Sequence, residues 1–90
     1  MRVEIITPEK KIFSGEATSV SLPGSDGVFQ VLNNHAPIIS SLKEGEVKLT
    51  LENMPESNGS VRKISGNEIG IDISGGIAEF INNKLVVLAN

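Results

Sequence analysis

Among the side chains of the types that build catalytic sites, five are the candidates. They are the lone histidine, His35, the hydroxyls of Ser40 and Ser41, and the carboxylates of Asp26 and Asp72. A hydrolase needs a base, a nucleophile and an oxyanion or metal site in one place. A serine-histidine pairing can be drawn in almost any serine-rich chain, so the mere presence of the two residue types says little. One histidine and no cysteine leave no ligand cluster of a spacing that zinc would use. The expectation is a chain that performs no catalysis and holds no metal or cofactor.

His35 then has two readings. It is a turn histidine whose ring hydrogen-bonds to nearby backbone, or it is a contact residue at an interface. The second draws on its surroundings: a polar Asn33-Asn34 turn runs directly into Ala36-Pro37-Ile38-Ile39, which sets apolar area beside polar anchors. Pro37 has no N–H to give a ladder, so this segment starts a strand or lies at a sheet edge. The loop Gly24-Ser25-Asp26-Gly27-Val28-Phe29 is similarly either an ordinary β-turn or a mobile docking finger. Gly75-Gly76 suits a strand bend or a close backbone approach. A phosphate cradle would have to open a helix, and "GGIAEFINN" is too short and too β-branched to start one. Asn58-Gly59-Ser60 matches a glycosylation acceptor, but without a secretory leader Asn-Gly reads as a turn.

The elements that must position these groups are strands. Ninety residues and 9.6 kDa make one domain, residues 1–90, with no spare core to divide. Hydrophobic residues at 39% against 3% aromatic describe a folded chain with an aliphatic core. A net charge of -3, with lysines and arginines scattered in no run longer than two and no aromatic platforms among them, argues against nucleic acid as a partner. Met1 to Thr7 lacks the apolar stretch of a signal peptide, and no apolar run approaches the roughly 20 residues that span a bilayer.

Alternation with a period of two is clearest in Glu46-Val47-Lys48-Leu49-Thr50-Leu51, which predicts Val47, Leu49 and Leu51 facing inward. Ile69, Ile71 and Ile73 make a second inward row. Further strands fit Arg2–Ile5, Lys11–Phe13, Ser19–Leu22 (stopped by Pro23-Gly24), Val28–Leu32, Pro37–Leu42, Val61–Ser65, Ile77–Ile81 and Leu85–Ala89. Short connections at Glu44-Gly45, Glu56 to Ser60, Gly66-Asn67 and Asn82-Asn83 favour hairpins. About ten short strands around an aliphatic middle predict an all-β fold, a flattened antiparallel sandwich or barrel.

Four separated stretches are also familiar in their order and spacing: "TPEKKIFSGEA" from Thr7, "PGSDG" from Pro23, "NHAPIISSLKEGEVKL" from Asn34 and "ISGGIAEFINNKLVVLA" from Ile73. Together they resemble the N-terminal β-sandwich of the epsilon subunit of rotary F-type ATP synthases, nearly end to end. The resemblance implies a ten-stranded sandwich at the foot of the central stalk, between the gamma subunit and the c-ring, that transmits torque and catalyses nothing. It implies a gamma contact through Thr7, His35, Ala36, Pro37, Ile38, Ile39 and Ser40. It implies a c-ring contact through Ser25, Asp26, Gly27, Val28, Phe29 and Gln30. The complex would couple proton passage to ATP synthesis, and the subunit would sit peripherally at the cytoplasmic face of a bacterial plasma membrane, with no membrane segment of its own.

The sequence departs from the pattern in three ways. Gln30-Val31-Leu32-Asn33-Asn34 replaces a Gly, hydrophobic, aromatic, Pro-Gly run, and Val28 stands where some members are acidic. The left-handed tolerance of asparagine preserves the turn chemistry. The segment Leu51 to Val61 is longer than usual and suggests an extended hairpin. The chain ends at Asn90, where many relatives continue into a helical hairpin that can inhibit ATP hydrolysis and in some binds ATP; a natural short form is expected, since the sequence starts at Met1 and closes after a complete strand. The rival readings are a free-standing module for a small ligand or carbohydrate, which would want exposed Trp or Tyr that this chain lacks, and a hydrolase built on His35.

Overall fold

The computed structural model describes residues 1–53 and 61–90, so the expected turn at Asn58-Gly59 and most of the expected long hairpin lie outside the described residues. Among the described residues the chain forms nine strands and no helix: β1 (Arg2–Ile6), β2 (Lys11–Gly24), β3 (Gly27–Leu32), β4 (Ile38–Leu42), β5 (Gly45–Leu51), β6 (Arg62–Ser65), β7 (Glu68–Ile73), β8 (Gly76–Ile81) and β9 (Lys84–Ala89).

The count is nine rather than ten because Lys11–Phe13 and Ser19–Leu22 are two stretches of one strand, β2. The polar Ser14-Gly15-Glu16 between them does not turn. It is held extended by its partners Glu4, Val3 and Arg2 on β1. A side chain at Gly15 would press on the Phe13 ring, 3.1 Å from the position of a Cβ, so the glycine leaves room for an aromatic to fold over its own strand. Nor does Pro23-Gly24 stop β2. Pro23 pairs with Val28 and Gly24 with Gly27, and the Pro23 carbonyl accepts from the Lys43 N–H at 2.9 Å.

Ladders run in the order β1-β9-β8-β4-β2-β5-β7-β6, with β3 on β2 and β1 returning to β2. One layer is therefore β1, β9, β8 and β4, the other β3, β2, β5, β7 and β6, and β2 belongs to both. The β1–β9 pair is the parallel exception among antiparallel described strands. Inner faces meet in one aliphatic core. Val47, Leu49 and Leu51 face inward as their alternation predicts, and so do Ile69, Ile71 and Ile73, joined by Val3, Ile5, Val20, Leu22, Val31, Phe80, Leu85 and Val87. Each fully buried aliphatic side chain contributes about 1.5–3 kcal/mol. Among the described residues no polar side chain is buried, so the core specifies the fold by volume and register alone.

Two connections set the ends of the β1-β9-β8-β4 layer. At one end Gly75 and Gly76 adopt φ of 145° and 150°, and a Cβ at Gly76 would fall 2.2 Å from the Leu88 carbonyl oxygen. The expected close backbone approach is thus present between β8 and β9. At the other end the β3–β4 turn and the β8–β9 turn are tied together. Asn34 has φ of 65°, His35 N–H donates to the Leu32 carbonyl at 3.1 Å, and Asn34 N–H donates to Asn83 Oδ1 at 2.7 Å. Asn82 and Asn83, at φ 53° and 57°, have the pair of positive φ values that a two-residue hairpin favours.

Two stability outcomes follow. Gly76→Ala adds a clash to a backbone region that L residues rarely enter, and urea unfolding should report a loss of roughly 3 kcal/mol; a loss below about 0.5 kcal/mol would mean that β8 and β9 can part freely. At Asn34, replacement by glycine should leave the unfolding midpoint nearly unchanged, whereas Asn34→Ala should cost about 1 kcal/mol, since alanine tolerates the left-handed region poorly.

Candidate functional site

The five groups that could do chemistry are not assembled. His35 is exposed, and its Nδ1 lies 2.7 Å from the Ala36 carbonyl, which can only accept, so the proton of that bond sits on Nδ1. The ring stands edge-on to Phe80, centroids 6.0 Å apart. Ser41 Oγ donates to Ser25 Oγ at 2.9 Å and Ser40 Oγ to the Ser41 carbonyl at 3.2 Å, so neither hydroxyl is directed to the histidine. Asp72 is on β7 in the other layer, where Arg62 donates to its Oδ1 at 2.8 Å. The turn reading of His35 accounts for its ring bond, and its exposure leaves it available as a contact.

Asp26 lies at the tip of the β2–β3 hairpin. This tip is a two-residue turn, Ser25-Asp26, closed by the Gly24–Gly27 pair, rather than a loose finger. Ser25 N–H donates to the Ser41 carbonyl at 3.0 Å, which adds to the Ser41–Ser25 hydroxyl bond and fixes the tip to the end of β4. Beyond it Val28 is 74% exposed, Phe29 packs partly against the core, and Gln30 Nε2 donates to Ser19 Oγ at 3.0 Å. The suspected c-ring set is therefore a braced corner carrying one bare apolar side chain.

The suspected gamma set is split by the fold. His35, Ala36 and Pro37 form the exposed turn before β4, and Ile38 to Ser40 begin that strand. Thr7 is in the β1–β2 turn, where its Oγ1 donates to the Lys10 carbonyl at 3.1 Å. The length of β1, roughly 16 Å at about 3.3 Å per residue, separates Thr7 from the end of the layer that carries His35. Thr7 shares its end with Gly75-Gly76 and the Ser25 tip.

What joins the two parts of that set is the outward face of the β1-β9-β8-β4 layer. Register aligns Ser41, Ile77, Leu88 and Ile6 in one row across four strands, with Thr7 next along the chain. The next row is Ile39, Glu79, Val86 and Glu4, and a third brings Ile81, Lys84 and Arg2 together. Ile77, Ile81 and Leu88 are half exposed and Ile39 is 73% exposed. Four large aliphatic side chains on one open sheet face form a patch of the kind that marks interaction sites. The chain-wise reading singled out Ile39 and missed Ile77, Ile81 and Leu88. The signal was present in "LVVLA", whose apolar residues do not alternate with polar ones; a strand that is apolar on both sides is normally covered on both.

The opposite outer face is charged. Arg62 on β6 hydrogen-bonds Glu46 on β5 and Asp72 on β7, and Lys48 Nζ lies 3.9 Å from Glu46. The Glu46 hydrogen bond and the nearby Asp72 charge hold the Arg62 guanidinium above its ordinary pKa, so it stays a cation at every physiological pH. Beside this cluster an open depression is lined by Glu44, Gly45, Glu46, Asp72, Ile73 and Ser74. It offers carboxylates and the Ser74 hydroxyl without a histidine to act as base. Among the described residues no group of three or more His, Cys, Asp or Glu side chains is placed to hold a metal ion, and no helix is long and apolar enough to cross a membrane.

The comparisons with known proteins agree with this geometry. Residues 1–90 match the family described as ATP synthase, Delta/Epsilon chain, beta-sandwich domain. The chain is 39% identical over 87 residues to an ATP synthase epsilon chain of Chlorobium limicola, covering 97% of this chain and 85% of that one. It is 36% identical over 89 residues to an ATP synthase epsilon chain of Pelotomaculum thermopropionicum, of whose length it spans 57%. In fold it resembles a chain in the cryo-EM structure of the Tetrahymena thermophila mitochondrial ATP synthase central stalk and c-ring, with a TM-score of 0.75 at 12% identity, covering 98% of this chain and 61% of that one. A sandwich whose inward rows, paired glycines and asparagine turn follow from its own sequence, and whose whole length matches one family, belongs to the ATP synthase delta/epsilon chain family through its β-sandwich domain.

Proposed function

We propose that the chain is a central-stalk rotor subunit of a proton-translocating F-type ATP synthase, which couples gamma to the c-ring, transmits torque and is not itself an enzyme. The observation that supports this reading best is the apolar outward face of β4, β8 and β9, placed on the one layer that also carries the His35 turn and ends at Thr7. Gamma would cover that face, with His35, Ala36, Pro37, Ile38, Ile39 and Ser40 along one edge and Thr7 at the opposite corner. The braced corner Ser25, Asp26, Gly27, Val28, Phe29 and Gln30 would meet the c-ring. Membrane association, at the cytoplasmic face of a bacterial plasma membrane, would come through the complex.

The separation of the two contacts suits a coupling part. Load entering at the Ser25 tip passes to Ser41 on β4 by two hydrogen bonds and into the β8 and β9 ladders. The material between is close-packed aliphatic side chains, which yield little to compression. Neither contact needs a pocket or a reactive group, in keeping with the dispersed His35, Ser40, Ser41, Asp26 and Asp72.

Reconstitution tests the proposal. The chain should co-elute with its cognate gamma subunit and, once that complex is formed, with the c-ring. Ile39→Asp should weaken gamma binding by at least about 10-fold, as expected when an apolar anchor is replaced by a charge, and His35→Ala should weaken it with no enzymatic turnover to lose. Val28→Asp should spare gamma binding while reducing retention of the c-ring. Absence of binding to both partners at micromolar concentration would overturn the rotor reading.

A further inference from the structure

The middle row of the apolar face contains two carboxylates in opposite circumstances. Glu4 is surrounded by cations, with Lys11 Nζ at 3.9 Å, Lys84 Nζ at 4.0 Å and Arg2 Nε at 4.0 Å. Glu79, two strands away in the same row, has no cation within 4.0 Å among the described residues, and Met54 to Ser60 contains no lysine or arginine. Its direct neighbours across and along the strands are apolar: Ile39 on β4, Val86 on β9, and Ile77 and Ile81 along β8 itself, with Lys84 and Ser41 on the diagonals. Lys84, opposite Ile81 in register, sends its Nζ to Glu4 instead.

While the face is open, water solvates Glu79 and the arrangement costs little. Once an apolar surface covers the surrounding isoleucines, that water is gone, and a carboxylate covered without a counter-charge is strongly unfavourable. Among the described residues no cation is paired with it, and the nearest along the register, Lys84, is turned to Glu4. We propose that Glu79 is the specificity anchor of this face: it accepts a hydrogen bond from one lysine or arginine of the docking surface, inside a collar formed by Ile39, Ile77, Ile81 and Leu88 that excludes water. An apolar partner patch without such a cation is rejected because it would bury the charge unpaired. This assignment rests on the reading that gamma covers the face.

Binding of the chain to its cognate gamma, measured by titration at low and at physiological salt, tests it with two substitutions of exposed residues and circular dichroism to confirm folding. Glu79→Gln keeps the shape and removes the charge; it should weaken the complex by about 30-fold or more and reduce the salt dependence of the affinity. Ile77→Asp reports on the face itself and should also disrupt binding. If Ile77→Asp disrupts the complex while Glu79→Gln binds within about 3-fold of the parent with an unchanged salt response, the ion pair is wrong and the carboxylate serves only the open face. If both variants bind like the parent, gamma docks elsewhere and the reading beneath the assignment fails.

Discussion

The constraint on which the structure depends is the double membership of β2. A nine-stranded sheet with an aliphatic interior must fold back on itself to exclude water, and every turn between layers is a place where the ladder can fail. Here one uninterrupted strand of fourteen residues carries the transition. Its first half pairs with β1, its second half lies between β3 and β5, and its last residue pairs with β4. The ring β1-β9-β8-β4-β2 is therefore closed by backbone hydrogen bonds rather than by side-chain packing alone. Closure leaves that ring without a strand edge, so that β3 and β6, each paired on one side, are the edges among the described strands.

The two outer faces differ because the strands beneath them differ. β5 and β7 alternate strictly, so their outward residues include Glu46, Lys48 and Asp72, and Arg62 of β6 bonds the two carboxylates. β8 and β9 do not alternate strictly, and their outward residues include Ile77, Ile81, Val86 and Leu88. One face is finished by its own ion pairs, worth little individually at the surface. The other is left apolar with a charged margin of Arg2, Glu4, Lys11 and Lys84 along β1 and its neighbours. In the proposed role this difference orients the subunit: a single layer is suited to being covered, and the hairpin tip lies at the end of that layer rather than on its face.

Much of this was legible in the sequence. The inward rows of β5 and β7 followed from period-two alternation, the paired glycines from the close approach they permit, and the Asn34 turn from the left-handed tolerance of asparagine. The extent of β2 was not legible, because Ser14-Gly15-Glu16 and Pro23-Gly24 carry turn-forming residues, and only cross-strand partners distant in sequence hold them extended. The apolar face was hidden for a related reason. Ile39, Ile77, Ile81 and Leu88 come from three strands, and nothing in one dimension shows that register brings them together. Thr7 and His35 were grouped in one contact by the family resemblance rather than by the sequence pattern. The topology keeps both at the margins of one layer but at opposite ends of it.

In the proposed role, the same topology lets a small chain serve two partners without a hinge. A flexible connection between contacts would store rotation as local strain, whereas here the tip turn is bonded to β4 at Ser41 and Lys43 bonds back to Pro23. Those bonds tie the β2–β3 hairpin to the apolar layer at the point where β2 itself meets β4. Displacing the tip relative to the face would then require breaking hydrogen bonds in the region where Gly24, Leu42 and Gly76 lie in adjacent ladders. In the proposed role, torque crosses the subunit through paired backbone over a short path, and the aliphatic core has only to resist compression. The rigidity comes from register, so substitutions that preserve apolar volume in the core should matter less to coupling than those that loosen the corner shared by β2, β4 and β8.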